Sequence, residues 1–467
     1  KKLESNEGAE IVLPDKSVKI VHGTLSHVCG DNLGANGLLG FVESFAANKP
    51  CRTCMGHKEE FQNHFVAEEF VLRDKGSHTV HVQESLENAT AVSLSGVKRD
   101  SVLNSLRYFH ATSNCAPDIM HDMLEGIIPM EVKLVLCKFI YDDKFFTLDK
   151  LNNAISSHSY GIYDKKNKPS QILESTLKGK DNSLKQHASQ NWCLIRVLGL
   201  LLGSLIPEDN VYWSLILKLQ KIVDIVFSDS ITESLTYYLK CLIEDHHSLF
   251  KQLFPNVKLL PKHHFLVHYP EAMRQVGPLI NLWCMRFEAK HYISKRLACV
   301  VNCFKDICFT AASRHQVSQC CKWNQSTLGS NELEAMDTEM YPVSNIENNA
   351  ALLEQVPGLL PGDDIFMAKK ITYWGTIFKA GTIVVVGMHD ELPQFGQISS
   401  ILIVGQTVIF TGNIWKTEYF EEHIHCYVVM EGHEIFFLQP KMLRNFRPLH
   451  VNMFGNKHVV TPRNHLF

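Results

Sequence analysis

The spacing of apolar positions changes character along the chain. Residues 9–125 carry short β-rich runs broken by turn residues: Ile11-Val12-Leu13, then Val18 to Val28, which ends in Gly30-Asp31. Phe41 to Phe45 reads as the opening of a helix, and the alternation His78-Thr79-Val80-His81-Val82 predicts a strand. Over 122–310 the period becomes helical, in Glu131 to Leu136 and then in 191–206, 211–227 and 231–250. Between them, 163–189 is rich in Lys, Ser and Asn and predicts an exposed loop. Residues 322–362 are polar and include Pro-Gly-Leu-Leu-Pro-Gly, a linker signature. From 363 to 447 short β runs punctuated by Gly predict a separate small barrel of SH3-like or BAH-like kind. Its Tyr373, Trp374, Phe395, Phe410 and Trp415 either stack on a ligand or fill the barrel core.

Length and charge narrow the functional classes. The 467 residues suffice for two to four domains. Lys and Arg number 46 against 49 Asp and Glu, a net charge of -3. That balance excludes a uniformly basic nucleic-acid coat but leaves room for one basic face. The apolar stretch Trp192 to Ile206 contains Arg196 and is shorter than the roughly 20 residues a bilayer span needs, so no membrane partner is expected. Fourteen Cys at irregular spacing, behind a polar start with no signal-peptide core, predict reduced thiols in a cytosolic or nuclear protein. The chain does not begin with Met, and a segment of something longer is expected.

Four constellations carry candidate chemistry. Gly30-Asp31-Asn32-Leu33-Gly34 follows a β-rich run, where a carboxylate at a strand end suits a divalent cation; a plain turn explains the same residues. Cys51-Arg52-Thr53-Cys54 has the knuckle spacing of a tetrahedral zinc site, with no second such pair at finger distance. His57, His64, His110, Cys115 and His121 are the candidates to complete it, and two free thiols are the alternative. Pro117 to Gly126 packs Asp118, His121, Asp122 and Glu125 into helical register, as a metal site or as a capped helix start. Met285-Arg286-Phe287-Glu288-Ala289-Lys290-His291 puts Glu288 near Cys284 and Tyr292 on one helix face. His264 and His268 share the spacing of H-E-x-x-H but lack its Glu, so core or surface histidines are expected there.

In order, Asp31, Cys51-x-x-Cys54, Asp118-x-x-His121, a long helical segment and Glu288 resemble the catalytic region of eukaryotic DDE transposases, the CACTA-like group and its relatives. The resemblance spans about residues 10–310 and rests on G-D-N-L-G, F-V-E-S-F, P-D-I-M-H-D-M-L-E-G and R-F-E-A-K-H taken together. It implies an α+β or α/β chain: an RNase H-like core interrupted by a mostly helical insertion, plus the C-terminal barrel. Residues 1–128 would form the first part of the core, 129–280 the insertion and 281–321 the closing helix. A linker at 322–362 and the barrel with its tail at 363–467 would follow.

The resemblance also implies the chemistry. Asp31, Asp118 and Glu288 would hold Mg²⁺ or Mn²⁺ for DNA strand cleavage and transfer by two-metal phosphoryl chemistry. Cys51, Cys54 and His121 would brace the site through Zn²⁺, with a fourth ligand open. DNA would be the partner, in the nucleus, with homodimer formation left open and no small-molecule cofactor. Lys262, Arg286, Lys290, Lys295 and Arg296 are the candidates for a basic face beside the acids. The competing expectation is a domesticated, non-catalytic scaffold that binds DNA or chromatin proteins. A zinc hydrolase built on His264 and His268 ranks last.

Overall fold

A computed structural model describes residues 1–467 apart from Pro14, Cys303, residues 325–332 and Phe467. The chain is mixed helix and sheet. It divides into two compact units, Lys1–Leu148 with Ile172–Ile195 and Asp209–Glu288, and Asp149–Gln171 with Arg196–Glu208 and Ala289–Phe467. Much of the expected insertion therefore folds with the N-terminal residues rather than as a body of its own.

In the first unit, strands Ala9–Val12 and Val18–Val21 form an exposed antiparallel hairpin. The β-rich run does not continue as a strand to Val28. It returns there as a single parallel bridge to Cys115. Asp31 then caps helix Asn32–Leu39, and Gly40, at φ 86°, ends it. That left-handed cap, open to Gly without a Cβ clash, is why Phe41 starts no helix. Phe41 bridges to Val97 instead and joins a core of Val28, Leu39, Phe109 and Ala111.

The predicted strand at His78–Val82 lies inside helix Lys75–Glu87. Asp74 accepts the Ser77 N–H at 2.8 Å, and Ser77 returns a hydrogen bond to the Asp74 backbone. Five alternating residues with no ladder partner lose to that capping box. The helix turns His78 inward, edge-on to the Phe41 ring.

The segment after Asp118 is a wide π-helical turn, Met120–Ile127, running into α-helix Ile128–Cys137. Pro129 sits just inside that junction. A prolyl ring clashes with the carbonyl four residues back, and a widened turn relieves the clash. Helices Val211–Val226 and Glu233–Leu253 follow the predicted periods and bury Leu215, Leu219 and Ile222 and, on the other, Leu239, Leu242 and Ile243. Short helices Pro261–Leu266 and Tyr269–Val276 lead to helix Cys284–Val301.

A buried polar knot ties three of these helices. Glu131 is fully buried between His246 and His263, whose Nε2 atoms lie 2.9 and 3.0 Å from its two carboxylate oxygens. His263 Nδ1 accepts the Leu260 N–H at 3.1 Å, so its Nε2 donates to Glu131. His247 Nε2 donates to the His263 carbonyl at 2.9 Å, leaving its Nδ1 to accept from His246 Nδ1 at 3.1 Å. Both nitrogens of His246 are thus donors. Burial opposes the Glu131 charge, but the two imidazoles outweigh it and hold its pKa down at about 2.

In the second unit a ten-stranded sheet curls into a half-barrel. Its centre is an antiparallel meander of Leu392–Val404, Thr407–Glu421 and Cys426–Leu438. One edge of Leu392–Val404 is shared. Its first half pairs with Ile383–His389 and its second with Asp364–Tyr373, so the sheet forks there and bends. Part of the expected linker is structured: strand Leu333–Pro342 pairs along Asp364–Tyr373, and helix Asn349–Gln355 packs Leu352 against Ile365 and Ile409. Residues 325–332 of that linker lie outside the described residues. Phe395, Phe410 and Trp415 are core residues. Trp374 is exposed, at φ 50° beside Gly375 in a two-residue hairpin turn.

Candidate metal centres

The Val28–Cys115 bridge sets the first centre. Val28 N–H donates to Asn114 O at 2.8 Å, and Ala116 N–H donates to Val28 O at 3.2 Å. Asp31 and Asp118 each lie three residues beyond a bridge partner, so the pairing carries both carboxylates to the same end. Asp31 is exposed, and its Oδ1 accepts the Gly34 N–H at 2.7 Å. It therefore serves as a helix cap as well as a candidate ligand.

Asp118 is 1% exposed. Its Oδ1 accepts the backbone N–H of Cys284 at 3.0 Å and of Met120 at 3.3 Å, and its Oδ2 binds His121 Nδ1. The far nitrogen of His121 lies 3.5 Å from Glu288 and 3.7 Å from Glu125. One imidazole thus bridges the second and third acids of the sequence pattern. Burial raises the Asp118 pKa, but His121 and the Cys284 N–H together hold it below the usual carboxylate range. The Asp118 hydrogen bond raises His121 in turn, against the cost of its burial.

Cys284 is the residue that the sequence reading did not use. It opens the helix that bears Glu288 and is 5% exposed. Burial pushes its thiol up, and the charges of Asp118, Glu288 and Asp31 add to that. Asp118, His121 and Cys284 present ligand atoms within 4.8 Å of one another. The signal was the four-residue spacing to Glu288 on one helix face.

Polar groups behind this centre fix its parts. Asp122 is fully buried and accepts from Asn32 Nδ2 at 2.7 Å and Tyr269 OH at 2.9 Å. Burial raises its pKa to about 6, with Lys262 and Arg52 opposing. Arg52 ties the same Asn32 (2.9 Å) to Asn36 (3.3 Å) and to the Ala116 carbonyl (3.4 Å).

Cys51 and Cys54 converge not with His121 but with His264 and His268. The four buried ligand atoms lie within 4.8 Å of one another. Cys54 Sγ is 3.1 Å from His264 Nε2, which is 3.3 Å from His268 Nε2. A tetrahedron with zinc-like bond lengths has edges of roughly 3.3–3.8 Å, so this donor set fits one cation. His121 is held elsewhere by Asp118, which is why it cannot complete the knuckle. Phe61 stacks on the His264 ring, with centroids 3.6 Å apart, and Phe70 meets it edge-on. Arg73, 6% exposed, donates Nε to the carbonyls of Cys51 and Cys54 at 3.0 Å each and sets a cation beside both thiols. The Cys54 thiol is raised by its hydrogen bond to Cys51, by burial and by the Cys51 charge. A divalent cation removes that conflict by neutralising both thiolates.

Of the five cations expected to form a basic face, Lys262 is engaged by other groups. Lys262 donates to the His121 carbonyl at 2.7 Å and lies over the Phe45 ring. Its ammonium is part of the framework. Arg286, Lys290, Lys295 and Arg296 are exposed on helix Cys284–Val301. At about 100° per residue, Arg286 and Lys290 share one side while Lys295 falls on the opposite side, with Glu288.

No protein-family model matches the chain, and the search of curated proteins found no match.

Proposed function

We propose that the chain is a metal-dependent DNA phosphoryl transferase of DDE transposase type, acting in the nucleus, with its acids carried on an RNase H-like core. The observation that carries this reading is that Asp118 meets the helix bearing Glu288, its carboxylate accepting the Cys284 N–H that opens that helix. Asp118 and Glu288 are joined through His121, and the Val28–Cys115 bridge aligns Asp31 with Asp118.

When bound, two Mg²⁺ or Mn²⁺ ions supply Lewis-acid activation of the attacking and leaving oxygens of an in-line displacement at phosphorus. Asp31, Asp118 and Glu288 are the oxygen donors that suit such hard cations. The Cys284 N–H fixes the Asp118 carboxylate, and that bond ties its position to the helix bearing Glu288. His121 supplies the countercharge that keeps the acids together when no cation does. Zn²⁺ at Cys51, Cys54, His264 and His268 would pin the loop after helix Asn32–Leu39 to helix Pro261–Leu266, and so hold Asp31 and Asp118 in register.

The test is nicking of supercoiled DNA in Mn²⁺ by the wild-type chain and by Asp118→Asn. Nicking by the wild type and its loss in the variant supports the reading. Equal nicking by both refutes it. A second reading, a non-catalytic DNA- or chromatin-binding scaffold, is favoured by the scatter of Arg286, Lys290, Lys295 and Arg296 around one helix. It predicts DNA retention with no nicking by either protein.

A further inference from the structure

The thiol at the acid centre changes which cation the centre prefers. Asp118 stands just before the helical turn that bears His121 and binds that imidazole, while Cys284 and Glu288 lie four residues apart on one face of another helix. The two elements meet: the Cys284 N–H binds Asp118, and His121 reaches Glu288 at 3.5 Å. Three of the four residues already place donor atoms within 4.8 Å of one another. Asp118 and Cys284 are almost wholly buried, and the His121 side chain is 22% exposed.

Mg²⁺ takes oxygen donors and keeps its waters. A thiolate beside an imidazole and a carboxylate is instead a set for Zn²⁺, Co²⁺ or Fe²⁺. Charge agrees with that choice. One thiolate and one carboxylate neutralise a divalent ion in a buried place, with His121 as a neutral donor. Binding would replace the Asp118–His121 hydrogen bond with two bonds to the same ion and release to solvent both the thiol proton and the imidazolium proton of His121.

We propose that Asp118, His121 and Cys284 form a transition-metal site, separate from the Cys51–Cys54–His264–His268 node, which takes a thiolate-accepting divalent cation of the Zn²⁺ class. This rests on the reading of Asp118 as a metal ligand. An ion there claims that carboxylate, so it competes with the hard cations of phosphoryl transfer and makes the centre sensitive to zinc.

The experiment titrates Co²⁺ into the full chain already carrying one Zn²⁺. Co²⁺ binds more weakly than Zn²⁺ at a shared ligand set, so it leaves the first node filled. The expected result is thiolate-to-cobalt charge-transfer absorption in the wild type, absent in Cys284→Ser and weakened at least about 10-fold in His121→Ala. Zinc content in each variant reports that the fold is retained. X-ray absorption on the cobalt-loaded wild type decides the matter without any variant, because one sulfur in the cobalt shell is required. An all-oxygen and nitrogen shell, or an absorption band unchanged in Cys284→Ser, overturns the site. DNA nicking plays no part in this readout. A chain that binds cobalt through sulfur but cuts nothing refutes the phosphoryl-transfer reading alone, and the reverse outcome refutes this site alone.

Discussion

Val28 pairs in parallel with Cys115, and Asp31 and Asp118 stand three residues beyond the two partners. A single bridge thus fixes the relative advance of two acidic residues drawn from distant parts of the sequence. The third acid is tied to them by side chains rather than by a strand. His121 lies between Asp118 and Glu288, and the Asp118 carboxylate binds the first N–H of the Glu288 helix.

His121 positions the acids, so its loss should loosen the centre without unfolding the chain. His121→Ala is expected to weaken Mn²⁺ binding by about 10–100-fold, the usual cost of removing a neighbour that orients a metal ligand. Calorimetric titration of Mn²⁺ into protein carrying one Zn²⁺ per chain reads this directly. Unchanged affinity would show that the imidazole is incidental to metal binding.

The buried Cys51–Cys54–His264–His268 node should hold one Zn²⁺ per chain. His264→Ala is expected to lose that equivalent and to destabilise the fold by more than about 4 kcal/mol, the range in which loss of a structural metal falls. Elemental analysis with denaturant unfolding measures both. Retained zinc in His264→Ala would place the ion elsewhere.

Glu131 gives the fold an acid-sensitive joint. Its folded pKa of about 2 lies below the unfolded value of about 4.3. Its contribution is therefore complete above the unfolded value and is lost as pH falls through about 2. The size is about 3 kcal/mol. Glu131→Gln should be the less stable protein at neutral pH, and the gap to wild type should narrow between about pH 4.3 and pH 2. A gap independent of pH would mean that the Glu131 charge gains nothing from His246 and His263.

Lys262 should behave as a structural residue. Removing its bond to the His121 carbonyl is expected to cost about 1.5–3 kcal/mol, as for other hydrogen bonds from charged groups. The salt dependence of DNA binding should stay as in the wild type. A slope reduced by about one in Lys262→Met would return this lysine to a phosphate contact.

Asp118, His121 and the C-x-x-C pair were legible as candidate ligands because each sits in a short, distinctive string. The partners of Cys54 were not, because His264 lies 210 residues away and local spacing carries no information about that approach. His264 and His268 read as a pair without a purpose until the fold supplied the thiols. Cys284 stands beside Glu288 in the sequence as a mere neighbour, since only the Asp118 contact makes it a candidate ligand. Among elements, the helical periods over 211–250 survived, with their apolar stripes long enough to outvote local chemistry. The short runs did not. Gly40 stopped a helix and Asp74 started one against the pattern, because a single cap decides a five-residue segment. The expected linker failed where residues 333–342 found a strand partner in Asp364–Tyr373.

The central claim is that Asp31, Asp118 and Glu288 form one site for two hard divalent ions. Electron paramagnetic resonance of Mn²⁺ added to protein carrying a single Zn²⁺, at the Cys51–Cys54–His264–His268 node, tests it most directly. Two Mn²⁺ bound per wild-type chain, spin-coupled at the roughly 3.5–4 Å separation of a two-metal site and both lost in the Asp31→Asn, Asp118→Asn, Glu288→Gln variant, is the result predicted. Absence of bound Mn²⁺, or binding that survives the triple substitution, would contradict it.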